Sequence, residues 1–150
     1  MAIKHASWTH GSGVQIENPE NLKQVTRYAF FTKLVGKPGT GTWVHFAVPT
    51  PVIVDNQRLK LESAMIRVRC NSTKVCVANF HVCDGEDRFF VKDRLNLAVL
   101  DWQSPLHREL IRPERPVLWG IGVTLYIAFN GTTDAENTIE LASAGCDFSN

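Results

Sequence analysis

The chain has 150 residues, a length that suggests one domain and that can bury roughly 68–70% of its unfolded surface without a metal or a disulfide. Apolar residues make up 44% and charged residues 21%, which places the chain among globular proteins and away from disordered ones. Sixteen basic and 15 acidic residues leave a net charge of +1, which argues against a surface built for nucleic-acid backbones or anionic membranes, so neither is an expected partner.

In chain order, Met1 to His5 shows no apolar run after Lys4, so no secretory signal is expected and the default compartment is the cytoplasm. Val14–Glu17 reads as a first strand. Asn18 and Pro19 open one expected helical turn, Pro19 to Gln24, with Asn18 as its cap. Strands are then expected at Arg27–Lys33, Thr42–Val48, Val52–Asp55, Ser63–Cys70, Cys76–Cys83, Arg88–Val91, Leu106–Ile111 and Thr138–Phe148. Turn chemistry separates them at Gly36-Lys37-Pro38-Gly39, Asp55-Asn56, Asp84-Gly85 and Pro113-Glu114-Arg115-Pro116. The clearest period-two pattern is Val117, Trp119, Ile121, Val123, Leu125, Ile127 and Phe129, a strand with one face in the core and Trp119 within its apolar stripe. That run is too short for a membrane helix and is interrupted by Gly120 and Gly122. Many short strands between turns predict a single all-β domain over residues 1–150, a two-sheet antiparallel sandwich of jelly-roll-like kind.

Ser63–Cys70 and Cys76–Cys83 also read as one hairpin. Pairing Cys70 with Val75 would send Asn79 and His81 into the core, whereas pairing Cys70 with Cys76 aligns all the apolar groups. The second register places Arg67, Arg69, Asn79 and His81 on an outer face. It also sets Cys70 opposite Cys76 on the core side, reduced in a cytoplasmic setting.

Chemical motifs are sparse. Cys70, Cys76, Cys83 and Cys146 form no C-x-x-C pair and no zinc spacing with histidine, and they read as buried small apolar residues. No metal or cofactor is expected. Asp84-Gly85-Glu86-Asp87 lacks the spacing of a calcium loop. Gly36-Lys37-Pro38 lacks the Ser or Thr of a phosphate-binding loop, and no serine-nucleophile elbow is present. On Thr42–Val48 the apolar face is Val44, Phe46 and Val48, so Trp43 and His45 look outward. An outward Trp beside a His suits a sugar ring or another flat ligand. The candidate ligand-binding set is therefore Trp43, His45, Arg67, Arg69, Asn79 and His81, with Trp8, His10 and Asp84 as secondary candidates and no assigned catalytic residues.

Several segments together resemble a family of small bacterial proteins catalogued as a domain of unknown function. They are Trp8-Thr9-His10-Gly11, Gly41-Thr42-Trp43-Val44-His45, Pro49-Thr50-Pro51-Val52-Ile53-Val54, His81-Val82-Cys83-Asp84-Gly85, Trp119-Gly120-Ile121-Gly122 and Ala144-Gly145-Cys146-Asp147-Phe148. The resemblance implies one compact domain coextensive with the chain and brings no activity with it. The leading expectation is a non-enzymatic module that binds a carbohydrate or small molecule, or that self-assembles as a homo-oligomer. The alternatives are a small hydrolase or cyclase using His10, His45, His81 and Asp84, and a structural subunit of a filament or shell.

Overall fold

The computed structural model describes residues 2–104 and 106–150. Its strands are β1 (His5–His10), β2 (Gln15–Ile16), β3 (Leu22–Arg27), β4 (Thr32–Gly36), β5 (Thr40–Val48), β6 (Ile53–Val54), β7 (Gln57–Arg58), β8 (Lys60–Cys70), β9 (Val75–Asp84), β10 (Asp87–Lys92), β11 (His107–Pro116), β12 (Ile121–Phe129) and β13 (Thr138–Ser149). Among the described residues the helical content is two single 3-10 turns, Gly11–Gly13 and Pro19–Asn21. No helix of the described residues is long and apolar enough to cross a membrane.

The strands form two large antiparallel sheets. One is six-stranded, in the order β11-β8-β13-β4-β3, with β1 pairing the later part of β13. The other is five-stranded, in the order β10-β9-β12-β5-β2, and β6 and β7 make a separate ribbon. The core lies between the two sheets. Leu34, Ile66, Val68, Ile139, Leu141 and Phe148 enter it from one sheet, and Val44, Phe46, Phe80, Val82, Val123 and Leu125 from the other. Alternation along β12 does what its sequence dictates: Ile121, Val123, Leu125, Ile127 and Phe129 are buried, and Gly122, Thr124, Tyr126 and Ala128 face outward. The fold is a two-sheet β-sandwich, as the strand pattern predicted.

Several local expectations differ. The expected strand Arg27–Lys33 is a hairpin, because residues 28–31 form the turn between β3 and β4, closed by Tyr28 N–H donating to the Phe31 carbonyl at 2.9 Å. The helical turn at Pro19 stops at Asn21, and β3 begins at once. Asn18 does not cap it; its side-chain oxygen accepts from Trp43 N–H at 3.1 Å instead. Pro113 to Pro116 lie within β11 at a register shift, which an edge strand tolerates because its outer N–H groups need no partner. Trp119 is 72% exposed and lies outside the core stripe. Parity breaks there because the Asp84 carboxylate holds the backbone of Leu118 to Gly120, so β12 starts only at Ile121.

The largest correction concerns the expected hairpin. β8 and β9 are consecutive in the chain but lie in different sheets, so neither proposed register exists. Cys70 sits opposite Ile139 of β13, and Cys76 opposite Ala128 of β12. A bulge in β9, between its pairings with Tyr126 and Ile127, reverses its parity. Val75 and Val77 therefore enter the core beside Phe80 and Val82, while Cys76 lies outside the core cluster. All four cysteines are free thiols.

Candidate functional site

The outer face of the five-stranded sheet is built in cross-strand rows. One row runs from Gln15 through His45 and Thr124 to His81 and Val91. The next runs from Trp43 through Tyr126 to Asn79. The third runs from Ala47 through Gly122 to Cys83 and Arg88. Rows of this kind put side chains from distant parts of the chain within van der Waals reach. Gly122 adds no side chain to the third row, which lowers the floor there. Gly41 serves the second row: a Cβ at Gly41 would stand 2.2 Å from the Tyr126 hydroxyl, so only glycine lets the Tyr126 ring lie across this backbone.

Trp43 is half-buried at the centre of this face. Its ring centroid lies 5.1 Å from that of His81 and 5.1 Å from that of Tyr126, tilted at 45° and 58°. His45 Nδ1 lies 2.9 Å from Thr124 Oγ1, and its Nε2 lies 3.4 Å from Glu17 Oε1. His81 Nε2 is 2.8 Å from Asp93 Oδ1, the same oxygen that accepts from Asn79 Nδ2 at 2.6 Å. Hydrogen bonds from His81 and then Asn79 hold the Asp93 carboxyl below its ordinary range. Trp43, His45, His81, Glu17 and Thr124 line an open depression of about 520 Å³ that reaches Cys83 and Arg88, with Tyr126, Asn79 and Asp93 supporting it from outside the lining.

The structure thus brings together Trp43, His45, Asn79 and His81 and separates the other candidates from them. Arg67 and Arg69 stand on β8, in the six-stranded sheet, with their guanidinium groups 5.2 and 5.5 Å from the centroid of Trp102. Trp8 is in the same sheet, its ring lying over Gly145, where a Cβ would come within 2.4 Å of it. His10 Nδ1 accepts from Ser12 N–H at 3.0 Å and caps the Gly11–Gly13 turn. Asp84 is buried, and its carboxylate accepts from the N–H groups of Leu118 at 2.8 Å, Trp119 at 2.8 Å and Gly120 at 3.0 Å. Burial opposes its charge, but these three donors, with Arg115 nearby, outweigh that and hold its carboxyl below the ordinary range. His10 and Asp84 are therefore engaged elsewhere and do not join His45 and His81. Among the described residues, no three His, Cys, Asp or Glu side chains are placed to share a metal ion.

Sequence reasoning missed Glu17, Arg88, Asp93, Thr124 and Tyr126 as members of this face. The signal for Thr124 and Tyr126 was present, since they are the alternate residues of the β12 stripe. What was absent was knowledge that β12 lies between β5 and β9.

The fold and this face define an antiparallel β-sandwich with an aromatic-centred trough on one outer surface. The chain belongs to the family of unknown function DUF6623, whose model matches residues 2–150. No curated protein matches it. Among solved structures it is similar to a low-affinity xylan-binding module from the gut symbiont Roseburia intestinalis, at 11% identity and a TM-score of 0.53, over 97% of this chain and 96% of the other. It also matches a family two carbohydrate esterase from Cellvibrio japonicus at 9% identity and a TM-score of 0.48, over 97% of this chain and 34% of that longer one.

Proposed function

We propose that the trough on the five-stranded sheet binds carbohydrate without altering it. The observation that carries this reading is Trp43, a half-buried ring against His81 and Tyr126 that lines an open depression with His45, Glu17, Thr124 and Arg88 around it. The negative face of an indole attracts the weakly positive C–H groups of a sugar ring, while the ring's hydroxyls need donors and acceptors around its rim. His45, Thr124, Glu17 and Arg88 supply both kinds. The fold similarity to a module that binds xylan supports choosing xylan fragments as the first ligand to test.

A thiol-based reaction in the trough is disfavoured by the state of Cys83. Cys83 shares the outer face of β9 with His81, but burial pushes its thiol up, and Asp87 adds to this against the opposing pull of Arg88. A catalytic thiol needs the reverse shift. The test is calorimetric titration of xylo-oligosaccharides and a wider glycan panel into the wild type beside Trp43→Ala. Binding by the wild type and its loss in a folded Trp43→Ala are expected. A glycan bound equally by both proteins would overturn the assignment of this face.

A further inference from the structure

The two arginines that the sandwich separates from Trp43 belong to a second surface on the opposite side of the molecule. The β3–β4 turn carries Tyr28, Phe30 and Phe31. The Tyr28 and Phe30 rings are nearly parallel, 5.4 Å apart at 8°; Phe30 meets Phe31 edge-on at 4.6 Å; and Phe31 stacks toward Trp102 at 6.1 Å and 21°. Phe30 is 61% exposed and Tyr28 38%. Rings that reach water in a continuous array are unusual on a soluble surface and mark places where something binds. Two closed turns carry the array. The Tyr28–Phe31 backbone bond closes one turn, and Asp101 closes the other by accepting from Gln103 N–H at 2.9 Å and Ser104 N–H at 3.2 Å.

Beside these rings lies a depression of about 230 Å³ lined by Phe30, Phe31, Arg67, Trp102 and Ala142. Ala142 is the extra residue of a β13 bulge, between the Leu141–Val68 and Ser143–Arg67 pairings, and its small side chain leaves the floor open. The two arginines at this place differ in charge balance. Arg69 pairs with the buried carboxylate of Glu140. Arg67 is exposed, and it takes part in none of the ion pairs among the described residues. Its guanidinium sits against Trp102, and among the described residues its side-chain N–H donors make no hydrogen bond.

We infer that this surface is a second ligand site, for a sugar ring bearing a carboxylate, such as a uronate unit of an acidic polysaccharide. The exposed rings offer a stacking face, and Arg67 offers the planar fork that takes a carboxylate in two parallel hydrogen bonds. A nucleic-acid backbone is disfavoured because a chain of net charge +1, with Arg69 already paired to Glu140 at this place, carries too little positive charge to neutralise a run of phosphates. Self-pairing about this patch is disfavoured because a two-fold interface centred there would set Arg67 against its own copy. The site does not depend on the reading of the five-stranded sheet.

The test titrates oligogalacturonate and, separately, neutral xylo-oligosaccharides into the wild type, Arg67→Gln, Phe30→Ala and Trp43→Ala, with melting temperatures checked for each. Oligogalacturonate affinity should fall at least about tenfold in Arg67→Gln and in Phe30→Ala, be unchanged in Trp43→Ala, and weaken with salt. The neutral probe reports on the Trp43 trough alone, so the two sites fail or succeed separately. The inference is overturned if the wild type ignores oligogalacturonate, if Arg67→Gln binds it as the wild type does, or if only Trp43→Ala loses it. It is also overturned if light scattering shows a wild-type dimer that Phe30→Ala dissociates, which would make the patch a self-interface.

Discussion

Trp43 and His81 sit on strands that never pair, yet their rings touch across β12 with centroids 5.1 Å apart. Trp43 leans diagonally over the Thr124–Tyr126 segment to reach the imidazole, and Asp93 holds that imidazole from the other side at 2.8 Å. The aromatic floor is thus set by a chain of three groups, Asp93 to His81 to Trp43, with Asn79 bracing the carboxylate.

Asp93→Asn should loosen this chain without unfolding the domain, since Asp93 is exposed and outside the core. Glycan affinity should fall about tenfold, equivalent to about 1.4 kcal/mol, with the melting temperature nearly unchanged. Calorimetry beside a thermal melt measures both. Unchanged affinity would show that the position of His81 does not matter to the ligand.

Cys83 offers a reporter built into the same trough. Cys70, Cys76 and Cys146 are buried, and burial raises the Cys70 thiol to about 11, so only Cys83 should react with a disulfide reagent in the folded protein. Its own thiol is also raised, so labelling should be slow at neutral pH and accelerate as pH climbs beyond the ordinary thiol range near about 8.5. Cys83→Ser should abolish the reaction, and a ligand seated in the trough should slow it. Labelling that ligand leaves untouched would place the ligand away from Cys83.

Strand parity was legible in the sequence because alternation is a property of one strand at a time. Trp43 and His45 on β5, and the β12 stripe from Ile121 to Phe129, needed no partner to be read. Strand adjacency was not legible. β8 and β9 follow one another in the chain, and a register can be written for them, but the Asn71–Lys74 link carries the chain from one sheet to the other. The β9 bulge then reverses parity at a place that no local pattern marks. β1 and β3 were missed because both are largely exposed and carry no apolar alternation. The patch imagined from Trp43, His45, Arg67, Arg69, Asn79 and His81 was consequently two surfaces. The aromatic half of the second, Phe30 and Phe31, lay inside a segment read as a strand.

The core stripe makes a sharp stability prediction. Val123 is fully buried between the sheets, and an aspartate there would be an unpaired charge in an apolar interior. Val123→Asp should abolish cooperative thermal unfolding, a loss of more than about 4 kcal/mol. Lys37→Asp, on the exposed link between β4 and β5, should stay within about 0.5 kcal/mol of wild type. A Val123→Asp protein that melts like the wild type would mean that β12 does not face the core.

Asp84 carries the last prediction, on pH. Its carboxylate is buried and accepts three backbone N–H groups from the bend that starts β12. The folded-state pKa is therefore below the unfolded one, even against the burial that opposes its charge. A depressed carboxyl stabilises the fold at every pH above its unfolded value, about 3.9. That stability is lost as pH falls through the lower folded value, because protonation then removes acceptors that the amides need. Wild-type stability should accordingly be flat, as far as Asp84 is concerned, from neutral pH down to about pH 4 and fall below it. Asp84→Asn replaces one acceptor oxygen with an NH₂ group aimed at amide donors. It should cost about 2–3 kcal/mol at pH 7 and reduce the steepness of the acid limb, since the group that titrates there has been removed. Urea unfolding of both proteins from pH 7 to pH 2.5 measures the two slopes. Parallel acid limbs in wild type and Asp84→Asn would mean that other carboxylates, and not Asp84, govern the acid sensitivity of the fold.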